Sequence, residues 1–520
     1  MPHYAERLHI SWDDFINLGR FRANDSGEKF SMSVLATNLC QEVNGVSKIH
    51  GRVSREMFQP LYPGYFANEL HVGYVTNGVH YPTWTDHAMK ELYNSSLDPD
   101  FVFDQSNAEK WKGIHDVPAE KLWEIRKQLK EELVAYLKFR IKQDLTKRQE
   151  SPKIILKTIE ALSSKALIIG FARRFATYKR AHLLFSNLER LSKIVNNPDK
   201  QVLFVFAGKA HPNDKAGQDL IKKIIDVSKM PDFIGKVVFI ENYDMDLGKK
   251  LTSSCDIWLN TPTRPLEASG TSGEKAVMNG VLNFSVLDGW WAEGYKPNAG
   301  WAIQEKRTYA NQQFQDELDA ETIYTLLETE IVPAYFDRNA NNVPERWISF
   351  IKNNISGIAP HFTMKRMLDD YFDRYYNKLI AASRKNLDNH FEPAQTMAAW
   401  KQKVKNAWES ITVESIKVPD PNVRPLDFGE NFIAEITLHT PGLVSGEIGI
   451  ELLFGRKLHD KIDEIVFVEK MQITGSQDEN VTYHINVPVY RAGVYDYTFR
   501  IYPLHPELPH RQDFPLVKWL

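Results

Sequence analysis

Between residues 166 and 289 short continuous apolar runs alternate with amphipathic stretches, and this alternation restricts the possible folds more than any other feature of the chain. The runs are ALIIGFA (166–172), QVLFVFAG (201–208), KVVFIENY (236–243), DIWLN (256–260) and VLNFSVLDG (281–289), apolar at consecutive rather than alternate positions. Strands of that kind are buried on both faces. The pieces between them, such as Asp214 to Lys229 and Asp246 to Ser253, carry helical spacing. Strand and helix in alternation predict an α/β unit, a parallel sheet flanked by helices, with ligands expected beyond the carboxyl ends of the strands.

The flanks read differently. From 30 to 58 the apolar residues Met32, Leu35, Leu39, Val43, Val46, Val53 and Met57 recur at helical intervals, interrupted by Asn44-Gly45. Residues 117–145 predict a solvated helix with one buried face, and two more helices are expected near 362–384 and 394–410. After about residue 412 the pattern turns to alternating segments, FIAEITLHT, GEIGIELLFG, EIVFVEKMQITG, VTYHINVPVY and VYDYTFRIYPL. The turn pairs Pro441-Gly442, Gly475-Ser476 and Ala492-Gly493 punctuate them, which predicts a small antiparallel β-sandwich. The expected division is a mainly helical segment 1–80, an α/β domain 81–411 and a β-sandwich accessory domain 412–520. Binding and structural roles are equally compatible with that sandwich.

A chain of 520 residues is more than one hydrophobic core supports, which agrees with several domains. Lys and Arg (64) nearly balance Asp and Glu (67), so no bulk field selects nucleic acid or anionic membrane. Cys40 and Cys255 are too few and too far apart for a disulfide framework or a metal-ligand set, and a reducing cytoplasm is the expected location. The start MPHYAERLHI has no basic-then-apolar leader pattern, and no run approaches the roughly 18 apolar residues of a membrane span. No membrane partner is expected.

Three segments can carry chemistry. EASGTSGEKAVMNG (267–280) follows one strand run and precedes another; its three glycines with Ser269, Thr271 and Ser272 form a loop whose backbone N–H groups can approach an anion. Such a loop alone is more often an ordinary turn. Lys275 just beyond it raises the stakes, because an amine beside a phosphate cradle is what a Schiff base with a phosphorylated aldehyde needs. GFARRFATYKRA (170–181) sets Arg173, Arg174, Lys179 and Arg180 at a strand's carboxyl end, a cation density that suits one or two phosphate groups, the alternative being a solvated loop face. AGKAHP (207–212) adds Lys209 as an outer cation and His211, more readily a satisfied polar residue than a catalyst.

In this order the segments resemble the α-glucan phosphorylases. EASGTSGEKAVMNG is similar to that family's cofactor-lysine signature and ARRFATYKR to its phosphate-site motif. AGKAHP, ENYDMDL, LCQEVNGVSKIHG (39–51) and VTNGVHYPTW (75–84) match its landmarks, so that the likeness covers roughly 10–410. RFATYKRA, WWAEGY and the tail RQDFPLVKW look most like the short bacterial and archaeal branch. The resemblance implies the GT-B fold, two Rossmann-like domains facing a cleft. It implies pyridoxal 5′-phosphate held by Lys275, with Thr271, Ser272 and Arg173 on its phosphate and Tyr243 nearby. Arg174 and Lys179 would hold inorganic phosphate, and Asn44, Glu267, Ser269 and Gly270 the glucosyl hydroxyls. Ser272 stands where many members have glycine, and Glu274 where many have an apolar residue.

The activity so implied is phosphorolysis of a terminal α-1,4-linked glucose to α-glucose 1-phosphate with retention, the cofactor phosphate relaying a proton to substrate phosphate. The expected partners are an α-1,4-glucan and inorganic phosphate, with a homodimer or a separately encoded N-terminal half. Members of the family carry several hundred residues before LCQEVNGVSKIHG, against about 40 here. The expectation is therefore weak cofactor binding and little phosphorolysis by this chain alone. Two other readings stay open: a nucleotide-sugar glycosyltransferase of the same fold, which does not need Lys275, and a non-catalytic glucan-binding protein.

Overall fold

The computed structural model of the chain describes residues 2–303, 309, 311–419, 428–458, 461–490 and 493–520. They divide into two compact units, one formed by Asn44–Val53 and Tyr74–Arg374, the other by Met1–Val43, Ser54–Gly73 and Tyr375–Leu520. The helical stripe expected over 30–58 is two helices, Met32–Leu39 and Lys48–Phe58, around a short strand β1 (Val43–Gly45); a second short strand, β2 (Val72–Tyr74), follows. Ser31 caps the first helix by accepting from the Val34 N–H, and the chain turns extended at Cys40.

The first unit is built on one parallel sheet. Its strands are β3 (Leu167–Ala172), β4 (Val202–Ala207), β5 (Val237–Ile240), β6 (Ile257–Asn260), β7 (Leu282–Val286) and β8 (Gly300–Ile303), in the spatial order β5-β4-β3-β6-β7-β8. Five of them are the apolar runs of the sequence, and every residue of β3, β4, β6 and β7 is buried. The sixth, GWAI, is too short to announce itself by pattern. Helices Lys215–Ser228 and Met245–Ser254 start where Asp214 and Asp244 accept from the N–H groups of Gly217 and Leu247. From β3 the chain builds outward through β4 and β5, then returns to the other side of β3 for β6, β7 and β8. The strand order thus reverses between β3 and β6, the place at which open α/β sheets commonly hold a ligand.

The helix expected over 117–145 runs Ala119–Lys147, and its buried face carries two cations. Lys130 pairs with Asp256 at 2.7 Å, both almost fully buried, and Arg126 donates to the carbonyls of Ser253, Cys255 and Asn279. Both charges answer backbone or carboxylate oxygens around the amino end of β6. They hold the scaffold together and lie outside the predicted chemistry.

In the second unit the helix Asn377–Ala407 is broken by non-helical angles at Asp388 to Phe391, close to the gap expected between 384 and 394. The strands β9 (Thr412–Lys417), β10 (Asn431–His439), β11 (Ile448–Leu458), β12 (Lys461–Lys470), β13 (Gln472–Gln477), β14 (Asn480–Pro488), β15 (Asp496–Pro503) and β16 (Lys518–Trp519) form two antiparallel sheets, β13-β14-β10-β9 and β12-β11-β15-β16. Alternate residues face inward, among them Phe432, Ala434, Ile436 and Leu438 from one sheet and Ile450, Leu452, Phe499 and Ile501 from the other. Of the turn pair Ala492-Gly493, Ala492 lies outside the described residues.

A buried ion network fastens Ser54–Gly73 to these sheets. Arg500, 0% exposed, donates to Glu451 at 2.6 Å and to Glu69 at 2.8 Å, and Arg511 donates to the other Glu451 oxygen at 2.6 Å. Beside it the rings of His71 and His510 stack 4.3 Å apart, His510 lying 2.9 Å from Glu42. Burial, reinforced by His510 and opposed by Glu42, pushes His71 down to about 4. An unfolded histidine titrates near 6.5, so between these values the unfolded chain takes up a proton that the folded unit refuses. Stability present above pH 6.5 should therefore be lost as pH falls toward 4, by about 2 kcal/mol after solvent screening. Unfolding midpoints against pH should show this loss, and His71→Phe should flatten it. Among the described residues no helix is long and apolar enough to cross a membrane, and no group of His, Cys, Asp and Glu is placed to hold a metal.

Candidate active site

Arg173 opens the loop after β3. Its N–H donates to the Ala207 carbonyl at 3.1 Å and the Phe175 N–H to the Lys209 carbonyl at 2.9 Å, so the loops leaving β3 and β4 run side by side. Gly208 permits this approach: at φ +146° it has no side chain, and a Cβ would stand 1.9 Å from the Arg173 carbonyl oxygen. The short turn Thr177–Lys179 then carries Lys179 inward to a buried position. Arg180 leaves the cation cluster altogether. Its guanidinium donates to the carbonyls of Thr261 and Pro262 and pairs with Asp316 and Asp319, which makes it a brace for the loop after β6.

That loop delivers Glu267. The Thr263 N–H donates to the Tyr178 carbonyl at 2.7 Å and the Thr261 hydroxyl to the Lys179 carbonyl at 3.0 Å, tying the two switch-point loops together. One carboxylate oxygen of Glu267 accepts from Arg173 at 2.9 Å and also from the Lys179 ammonium. All three groups are nearly buried. Arg173 keeps two further donors, Nε and Nη1, buried and without a partner among the described residues. Burial draws its pKa down and Glu267 opposes the shift. Asp288, at the end of β7, receives the N–H groups of Glu267 at 2.9 Å and Gly289 at 2.8 Å; burial pushes it up to about 6 against those bonds.

Ser269 and Gly270 connect Glu267 to the helix Thr271–Val277. Gly270 has φ +86° and lies against the Glu267 side chain, a conformation and a space that glycine supplies most cheaply. The Ser269 hydroxyl is buried without a hydrogen bond. Thr271 begins the helix half-buried, and Ser272 accepts from the Trp258 indole at 3.0 Å. Lys275 is half-buried with its ammonium 3.4 Å from the centre of the Trp84 ring. Burial lowers its pKa, and Glu274 raises it.

Trp84 and Asn279 were not singled out from the sequence as site residues. Fully buried, Asn279 donates to the carbonyls of Lys275 at 2.9 Å and Trp84 at 2.8 Å and accepts from the Asp86 N–H at 2.7 Å, so it clamps the ring over the amine. Both close a quoted motif, VTNGVHYPTW and EASGTSGEKAVMNG. Three other expected residues show no bond to the Arg173–Glu267–Lys179 group among the described contacts. Arg174 is exposed beside it. Tyr243 packs half-buried beside the second core layer of the sheet, its hydroxyl over Gly248. Asn44 donates to the Gly45 carbonyl and to the Tyr371 hydroxyl, each at 3.0 Å. Lys209 is exposed, and His211 accepts from the Asn213 N–H at 3.1 Å, a satisfied polar residue as expected. A cavity of about 260 Å³, lined by Thr76, Glu293, Lys296, His361 and Arg366 among others, contains none of the expected residues.

The profile of the carbohydrate phosphorylases matches residues 18–293, and that of the glycogen phosphorylase C-terminal domain matches residues 408–520. A maltodextrin phosphorylase of Thermococcus litoralis is 36% identical over 98% of this chain and 58% of its own length. A glycogen phosphorylase of Aquifex aeolicus is 42% identical over 68% of the chain and 51% of its own length, and one of Mycobacterium tuberculosis is 33% identical over 97% and 58%. The chain thus spans little more than half the length of these curated relatives. Together with the cation-lined switch point and the lysine helix, the similarity leaves one assignment: the chain belongs to the carbohydrate phosphorylase family.

Proposed function

We propose that the chain carries the cofactor- and phosphate-binding part of an α-glucan phosphorylase, which transfers a terminal α-1,4-linked glucosyl unit to inorganic phosphate and releases α-glucose 1-phosphate. In this reading 81–411 is one Rossmann-like domain of a GT-B pair and 412–520 an accessory domain. One observation carries it: Arg173, Lys179 and Glu267 converge where the strand order reverses, at the head of the loop that leads to Lys275.

The residues fit a phosphorylated aldehyde. The two orphaned Arg173 donors cost about 1–3 kcal/mol each while unsatisfied, and a phosphate oxygen answers them with charge-assisted bonds. Lys275, with its pKa lowered by burial, presents more free amine at neutral pH than a surface lysine does. We infer pyridoxal 5′-phosphate, held by Lys275 with Thr271, Ser272 and Arg173 on its phosphate and Tyr243 nearby. When bound, that group supplies a phosphate able to exchange a proton with the substrate phosphate.

The chain's own residues do the rest. Arg174 and Lys179 hold inorganic phosphate; an ammonium has three N–H donors, and the bond to Glu267 uses one. Two phosphate groups in a water-poor crevice repel by several kcal/mol, about 4 at 4 Å separation, and the three cations offset this. Glu267 keeps Arg173 and Lys179 in place without neutralising all their donors. With Asn44, Ser269 and Gly270 it binds the glucosyl hydroxyls. The free thiols of Cys40 and Cys255 accord with a reducing cytoplasm as the place of action.

Incubation with pyridoxal phosphate followed by borohydride should leave a pyridoxyl group on the peptide that contains Lys275, and Lys275→Ala should abolish it. Adducts scattered over exposed lysines, unchanged by that substitution, would overturn the reading.

A further inference from the structure

Glu274 precedes Lys275 on the helix Thr271–Val277 and is 0% exposed. Neither of its carboxyl oxygens completes a hydrogen bond with a described residue. The charged and polar groups that face it are Lys275 on its own helix, Arg366 on the helix Met364–Tyr371, Glu293 on the turn Trp291–Gly294 and the Ser269 hydroxyl in the preceding loop. Both outside charges have other partners, although Arg366 keeps its Nε buried without one among the described residues. Arg366 pairs with Asp370 at 3.0 Å and donates to the Asn77 carbonyl at 2.9 Å, while Glu293 accepts from the Thr76 hydroxyl and the Lys48 N–H.

An ionised carboxylate so placed would have little beyond the nearby Ser269 hydroxyl to compensate it, and burying one is expensive. The proton therefore stays on Glu274 to well above the usual carboxylate range; burial is the main cause, Glu293 adds to it, and Arg366, Lys275 and the Ser269 hydroxyl oppose it. Lys275 experiences the complement. Burial lowers the pKa of the amine and Glu274 raises it, while the ammonium lies against the face of Trp84.

We propose that Glu274 is a positioning residue that sets the proton occupancy of the Lys275 amine. This rests on the reading of Lys275 as an amine that must be free to meet an aldehyde. While Glu274 is neutral the amine gives up its proton readily; as Glu274 ionises, its charge holds a proton on Lys275 and the amine becomes unreactive. The two groups titrate as a pair whose midpoints belong to both. Glu274 would then adjust the pH range in which the lysine can be loaded.

The test uses the full chain without cofactor. Competitive acylation by acetic anhydride across a pH series, read by peptide mass spectrometry, gives the midpoint at which Lys275 becomes reactive, with exposed Lys223 and Lys296 as internal references. Glu274→Gln keeps the shape and removes the charge, so the midpoint should move down by about one unit, roughly tenfold in reactivity at a fixed pH below it. Glu274→Met should do the same. An unchanged or raised midpoint in a variant with parental thermal unfolding overturns the proposal. Should both variants unfold, infrared spectra of the parent decide: the stretch of a protonated carboxyl should persist at neutral pH and fade in step with Lys275, whereas its absence at neutral pH sinks the idea. Pyridoxyl trapping at Lys275 is read separately, so failure of the cofactor reading leaves the acylation result standing.

Discussion

Arg500→Ala is expected to destabilise the unit that holds the C-terminal sheets by about 3–5 kcal/mol, because it leaves Glu451 and Glu69 as buried carboxylates without their cation. Glu451 is 1% exposed and, among the described residues, keeps only Arg511; Glu69 keeps a 3.5 Å contact to Arg511 and the Phe66 N–H. The guanidinium also lies over the rings of Tyr65 and Trp519, 4.8 and 5.1 Å from their centres, so packing is lost with the charge. Lysine cannot reproduce a fork that serves two carboxylates and the Gly64 carbonyl at once, and Arg500→Lys should recover less than half of the loss. Urea unfolding followed by tryptophan fluorescence measures both. A loss below about 1 kcal/mol for alanine would mean that the network is no more than a surface ion pair in its effect.

Arg173→Ala is expected to weaken pyridoxal phosphate binding about 100-fold, since two charge-assisted bonds at roughly 1.5 kcal/mol each are removed from a buried anion site. The change should appear as a rightward shift in a titration of absorbance against cofactor. Lys275 should still be the residue trapped by borohydride at saturating cofactor, because in the proposed arrangement the arginine binds the phosphate end while the lysine meets the aldehyde. Adding phosphite or sulfate should compete with cofactor in the parent and scarcely at all in the variant. Equal affinity in both proteins would remove Arg173 from the cofactor site.

The parallel sheet was legible because burial on both faces writes itself into consecutive apolar positions, as in LIIGFA and VLFVFA. β8 escaped notice because four residues hold no period. Within the candidate site, Arg173 and Lys179 could be nominated from their place after a strand and Glu267 from the family resemblance alone, and the fold brings all three together. Arg180 carries the same charge one position on, yet its left-handed backbone, φ 49°, turns it toward Asp316 and Asp319. No spacing rule separates the two cations. The Trp84–Lys275 contact was equally hidden: the partners lie far apart in sequence, and only the Asn279 clamp, a three-dimensional feature, explains why they meet. Glu274 could be noticed as an unusual neighbour for Lys275, but its complete burial could not.

The ion network that fastens Ser54–Gly73 to the C-terminal sheets has a consequence for biosynthesis. Phe58, Tyr62, Tyr65, Leu70 and Val72 form a small core with Val517 against them, yet the whole of Tyr74–Arg374 is translated in between. At roughly 5–20 residues per second, those rings emerge from the ribosome some tens of seconds before their covering strands exist. The nascent chain carries a sticky apolar segment for all that time, which makes it a natural client for a holding chaperone.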